Sequence, residues 1–222
     1  MFKSLYDALR AKDLLAPAVE ITDESLVLAG RFTEQVSGGL LLGEPVELDV
    51  MATDQQINAA EIEVRRMVFE HLVMQPSVDL TTSVILLSTI GDVERIGDYA
   101  KNIDQLRPRL RGAWPTGGGF DHLVMYRGEL LSLFDDTIET IRKGDVDLGT
   151  QVMDRQHGLG RRCEDLVDGF CRDEKVLGCN AVVGSLTARY FKRISAHLSN
   201  LASGVVNPID RIGFEPVRGD GS

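Results

Sequence analysis

"IGDVERIGDYAKNI", residues 90–103, decides how the rest of the chain reads. Its apolar residues recur at spacings of three and four, the stripe of a helix that buries one side. Glu94, Asp98 and Asn102 follow one another at a strict spacing of four and therefore share a face. Two stacked carboxylates repel, so something positive is expected to face them.

Working outward, the helix spans about 78–109 and is preceded by "QPS" at 75–77. Proline disfavours helix in the residue before it, which makes this a tight turn. The helix before the turn is expected to be capped by Thr53 or Asp54 and to reach Met74, with Met67, Val68 and Leu72 inward. An earlier helix covers 18–42, with Leu26, Leu28, Phe32 and Val36 on its apolar positions, and breaks at Gly43–Pro45. "RPRLRGAWPTGGGF" (107–120) is dense in proline and glycine and separates two halves. Three more helices follow, at about 121–145, 146–172 and 180–206. Pro208 stops the last, and a frayed tail ends the chain.

Three helices, a linker and three helices point to an internal repeat. "VERIGDYAKNI" (93–103) aligns with "FKRISAHLSNL" (191–201), pairing Arg95 with Arg193, Ile96 with Ile194 and Asn102 with Asn200. The expected fold is all-α, two tandem three-helix bundles with a spectrin-repeat-like internal repeat. The expected divisions are an N-terminal amphipathic helix (1–17), a first bundle (18–109), a linker (110–120), a second, degenerate bundle (121–207) and a flexible tail (208–222). In the N-terminal helix Phe2, Leu5 and Leu9 line one side, which gives it a bundle end, another subunit or a membrane surface to meet.

Bulk composition agrees. The chain has 222 residues, 43% hydrophobic, with a formal net charge of −10 and a pI near 4.9. Phosphate backbones require a basic face, so nucleic acid is an unlikely partner class; cations and basic protein segments suit this charge. Three cysteines, Cys163, Cys171 and Cys179, form no C-x-x-C pair. They read as small buried hydrophobes in a reducing compartment. No secretory signal and no membrane-spanning apolar run is visible, and the expected location is the cytoplasm.

If the helices either side of 75–77 form a hairpin, Asn58 faces Glu94, Asp54 faces Asp98, and Glu61 lies near Gly91. These five oxygen-bearing side chains, Asp54, Asn58, Glu61, Glu94 and Asp98, gather around one patch. All-oxygen sites take hard or borderline cations such as magnesium, manganese, calcium, iron or zinc. A solvated acidic face is the alternative. A ferritin-like di-iron centre needs two Glu-x-x-His motifs; the nearest approach, Asp154-x-x-His157, occurs once. His71, His122 and His197 are scattered and read as structural. No nucleophile with a paired base and no phosphate-cradling glycine loop is present, so an enzyme is not expected.

The stretch "QPSVDL…GDVERIGDYAKNI" (75–103) resembles the signature of the PhoU family of phosphate-uptake regulators. "DQQINAAEIE" (54–63) resembles that family's second helix, and "ARYFKRISAHLSNLASGVV" (188–206) the second-repeat version. The resemblance implies tandem three-helix bundles in a cytoplasmic, homodimeric protein that represses phosphate-starvation signalling rather than catalysing. The implied partners are a phosphate ABC transporter or a sodium–phosphate cotransporter, and a sensor histidine kinase, with peripheral membrane association through them. It also implies bound di- or trivalent metal (iron, zinc, manganese or magnesium), with Glu94 and Asp98 as ligands, Asp54, Glu61 and Asn58 across from them, and Asn102 in support. Two departures stand out. Thr81 replaces the usual arginine after "DL". In the second repeat Lys192 and Ala196 replace the two acids, so that site is expected to be empty, with Lys192 paired to Asp154. The competing expectation is a structural interaction bundle of the same fold without metal.

Overall fold

The computed structural model describes residues 15–75, 78–173, 175–176 and 178–214. Among them are six long helices and no strand: α1 Ala16–Leu41, α2 Val50–Met74, α3 Leu80–Asp104, α4 Gly119–Lys143, α5 Val146–Arg172 and α6 Gly178–Val206. The all-α expectation is met. The N-terminal helix expected before residue 15 lies outside the described residues.

Local chemistry sets most boundaries. Pro17 in the first turn opens α1, where a missing N–H costs nothing. α2 starts a turn earlier than expected: its cap is Asp49, whose side chain accepts from Ala52 N at 3.0 Å, rather than Thr53 or Asp54. Gln35 Oε1 of α1 accepts from Glu47 N and Leu48 N, at 2.9 and 3.1 Å, and fixes the approach to that cap. α3 ends at Asp104 rather than 109, because Pro108 turns the chain into a short 3₁₀ segment, Arg107–Arg109. α4 ends on Gly144 in the left-handed conformation (φ 66°), behind Arg142 and Lys143. Asp145 then caps α5 through Leu148 N at 2.9 Å. After Pro208 the tail is held as far as Phe214: Asn207 Nδ2 donates to Arg211 O and Phe214 O, and Gly213 N to Ser203 Oγ.

Each set of three helices packs all three ways, α1–α2–α3 and α4–α5–α6, and the sets join through equivalent helices, α1 with α4 and α3 with α6. Both joining pairs run antiparallel. On one, Asp23 pairs with Arg142 at 2.7 Å, and Arg127 reaches Ser37 and Glu34. On the other, Asp92 meets His197 and Asn200, while Tyr99 meets Tyr190 and Arg193. One continuous core runs through both sets, with Phe32, Ile57, Ile90, Ile96, Phe191 and Ile194 fully buried. Close packing requires glycine at two places. A Cβ on Gly97 would stand 3.0 Å from Ile57 Cδ1, and one on Gly184 would stand 2.7 Å from Phe170 Cζ.

The cysteine reading holds only in part. All three thiols are free, but only Cys163 is buried; Cys171 is exposed and Cys179 half-buried.

Candidate functional site

The hairpin of α2 and α3 carries the acidic residues together. Ile57 of α2 seats against Gly97 of α3, and this contact sets the register. Asp54 then lies beside Asp98 and Lys101, and Glu61 beside Gly91 and Glu94. Asp54 is buried at 5% exposure, an unusual place for a carboxylate unless it is paired. Glu61, Glu94, Asp98, Asn58 and Asn102 are half-buried along the same two helices.

Positive charge does face the stripe, and the chain supplies part of it. Lys101 Nζ donates to Asp54 Oδ1 at 2.7 Å and to Asp98 Oδ1 at 2.9 Å, bridging α3 to α2. Partial burial pulls the lysine's pKa down, but the hydrogen bonds to Asp54 and Asp98 outweigh it and raise the value above the ordinary lysine range. Arg95 lies 3.4 Å from Glu94 and 3.7 Å from Asp98, and Arg65 pairs with Glu61 at 2.8 Å. Sequence reasoning missed Lys101. The signal was its position three residues after Asp98, on the same face.

The neutralisation is uneven. The carboxyl of Glu94 is pushed above the usual range by burial first and by the charge of Asp98 second, with Glu61 adding to it, while Arg95 opposes the shift. The stripe is therefore richest in unrelieved negative charge at Glu94, the end away from Lys101.

As a cation site the donors fit by chemistry: they are oxygens, most of them carboxylate, on two packed helices. The arrangement itself is not a ready cage. Among the described residues no group of three or more His, Cys, Asp and Glu side chains is placed to hold a metal ion, and Lys101 stands between two of the expected ligands.

The second repeat differs as its sequence requires. Ala196 and Asp154 do lie together, lining a shallow cavity with His157, Arg161, Asn200 and Phe214. Lys192, however, pairs with Glu164 rather than with the expected Asp154. The contact is exposed, and it lowers the pKa of the Glu164 carboxyl. The partner differs because Lys192 stands over Gly160, a turn from Glu164, and Asp154 lies further down α5.

The histidines serve the scaffold. His71 is buried and donates from Nε2 to Val78 O at 3.2 Å. His197 Nδ1 lies 2.7 Å from Asp92 Oδ1, and its ring stacks on Tyr99 at 5.8 Å between centroids. His122 stacks on Tyr126.

Comparison with known proteins follows the same lines. Residues 43–106, the segment holding α2 and α3, match the family model of the PhoU domain. Among solved structures, the phosphate transport system regulatory protein PhoU from Streptococcus pneumoniae is similar with a TM-score of 0.76 at 13% identity, over 86% of this chain and 93% of that one. PhoU from Pseudomonas aeruginosa is similar with a TM-score of 0.67 at 20% identity, over 86% and 91%. A search of curated protein sequences returns no match. Residues 43–106 thus resemble the PhoU domain, and the chain has the fold of these solved PhoU structures, as the sequence resemblance implied.

Proposed function

We propose that this chain, which matches the PhoU domain at 43–106 and has the fold of PhoU proteins, regulates phosphate uptake and phosphate-starvation signalling by binding other proteins. The supporting observation is that Asp54, Glu61, Glu94 and Asp98 converge on one face of the α2–α3 hairpin, inside the segment that matches the PhoU domain. A half-buried anionic face suits basic segments, because opposite charges align partners and raise association rates. The partners proposed are a phosphate ABC transporter or sodium–phosphate cotransporter and a sensor histidine kinase, met in the cytoplasm as a homodimer. No helix among the described residues is long and apolar enough to cross a membrane, so contact with a transporter would come through a peripheral surface. No catalytic role is proposed.

Glu94, Asp98 and Glu61, with Asp54 and Asn58 beside them, are proposed as the donors for a hard cation: iron, zinc, manganese or magnesium. Such an ion would supply positive charge to a face on which burial and like charge already disfavour ionised Glu94. Lys101 shares Asp54 and Asp98 with it and competes for them. The second reading, a protein-binding bundle with no metal, is favoured by one observation: the Lys101 ammonium already satisfies Asp54.

The functional test is genetic. Deleting the gene is expected to leave a phosphate-starvation promoter active in phosphate-rich medium. Wild-type protein should restore repression, and a Glu94→Ala/Asp98→Ala double variant should not. A promoter that still responds normally to phosphate after deletion contradicts the regulatory role.

A further inference from the structure

The outer side of α2 carries an apolar line that no other described helix covers. Ile62, Phe69 and Val73 are exposed at 57%, 68% and 62%, and their spacings of seven and four keep them on one side. Met51 is 58% exposed and extends the same line, because the eleven residues from it to Ile62 make three turns. Buried Ile57, Val64 and Val68 occupy the opposite side. Across the turn, Leu80 and Val84 of α3 are exposed as well. Leu80 lies eighteen residues, five turns, before Asp98 and so shares the face of the acidic stripe. Scattered exposed apolar residues are ordinary, but a line about 33 Å long from Met51 to Val73 is not.

Charge limits what can cover it. Glu63 and Glu70 run beside the line, each one position after Ile62 or Phe69. Both are exposed, and among the described residues neither is held in an ion pair. A second copy of this chain would bring the same carboxylates to the contact. A surface of anionic lipid would meet them and a net charge of −10. A basic partner suits the line's flank. Its shape calls for a helix. The backbone of α2 is bonded internally and offers no edge to a strand, whereas anchors at spacings of three, four and seven on a second helix lie along it side by side.

We propose that this face docks a basic amphipathic helix of a partner protein, with its apolar side on Ile62, Phe69 and Val73 and its lysines or arginines toward Glu63 and Glu70. The proposal rests on the reading of this chain as a protein-binding regulator and names the kind of segment it binds.

The probe is a synthetic helical peptide of about 22 residues, leucine on one side and lysine on the other, long enough to span the line. Labelled with a fluorophore and titrated with the full chain, it is expected to bind. A peptide of the same composition without the helical period should bind at least tenfold more weakly. Phe69→Asp/Val73→Asp should weaken binding of the first peptide at least tenfold. Glu63→Lys/Glu70→Lys should do the same, and should capture a leucine–glutamate helix that the wild type ignores. All four positions are exposed, and circular dichroism melts check that the variants fold. No binding, equal binding of the aperiodic peptide, or binding that either pair of substitutions leaves unchanged overturns the proposal. So does a wild-type dimer that Phe69→Asp converts to monomer in sedimentation, because a second copy then covers the line. Flotation with phosphatidylglycerol vesicles, lost in Phe69→Asp, overturns it equally by assigning the line to a membrane. The titration reads the purified chain alone, so a promoter unaffected by gene deletion contradicts the regulatory role and leaves the docking result standing.

Discussion

Lys101 Nζ stands 2.7 Å from Asp54 Oδ1 and ties α3 to the most deeply buried carboxylate of α2. Removing that ammonium leaves Asp54 without its partner. Lys101→Met is expected to destabilise the metal-free protein by about 1–3 kcal/mol, the cost of an unsatisfied buried charged group. If the carboxylates hold a cation, manganese or magnesium should restore more stability to this variant than it adds to the wild type. Thermal melts with and without each ion provide the check, and equal shifts in the two proteins would contradict competition between Lys101 and metal.

Glu94 gives a pH-dependent prediction. Its carboxyl has a folded-state pKa raised by burial and by Asp98, so the folded protein binds that proton more tightly than the unfolded chain. The associated stability is present in acid and is lost as pH rises through the raised value. At neutral pH the ionised group is a liability, and Glu94→Gln should raise the melting temperature of chelator-treated protein. The gain should fade as pH falls through the raised value and be gone below the ordinary glutamate range. A variant less stable than wild type at neutral pH would count against the crowding of Glu94, Asp98 and Glu61.

Much of this site was legible in the sequence because its parts lie on two helices joined by a short turn. Spacing places Glu94 and Asp98 on one face, and a tight turn largely fixes what lies opposite. Lys101 escaped because a stripe read at spacings of four passes over the neighbour three residues away. The cap of α2 was misplaced since Asp49, Thr53 and Asp54 are all good capping residues. The choice depends on Gln35 of a different helix holding Glu47 and Leu48. The α5–α6 register was legible too, since Asp154 and Ala196 line one cavity as opposite positions. The partner of Lys192 was not, because counting opposite positions does not say which way a long side chain turns, and Lys192 reaches Glu164 in place of Asp154. Cys171 falls on the last exposed turn of α5, where helical periodicity says least about burial.

The thiols should differ in reactivity. Burial pushes the Cys163 thiol up to about 12, and the thiolate is the reactive form. Cys171 is exposed. With Ellman's reagent at pH 8, Cys171 should react promptly, and Cys163 only after denaturant is added. Rapid labelling of Cys163 in native protein, located by mass spectrometry, would show that the α4–α5–α6 core opens more readily than its packing indicates.

Gly184 allows α6 to approach Phe170, whose ring also lies 2.9 Å from where a Cβ on Gly119 would sit. Gly184→Ala should cost about 1–3 kcal/mol through overpacking, less the gain of up to about 1 kcal/mol from better helix propensity. Phe170→Leu in the same chain should recover part of the loss. An alanine variant as stable as wild type in urea unfolding would mean that Phe170 has room to move aside.

The most direct measurement is elemental analysis of protein purified without chelator, wild type beside Glu94→Ala/Asp98→Ala and Lys192→Ala. If the first-repeat face holds a cation, wild type and Lys192→Ala should carry the same metal in constant proportion to protein, and the double variant should carry none. Wild-type protein without metal, or a double variant that keeps it, would contradict cation binding at Glu94 and Asp98 and leave Lys101 as the counter-charge of that face.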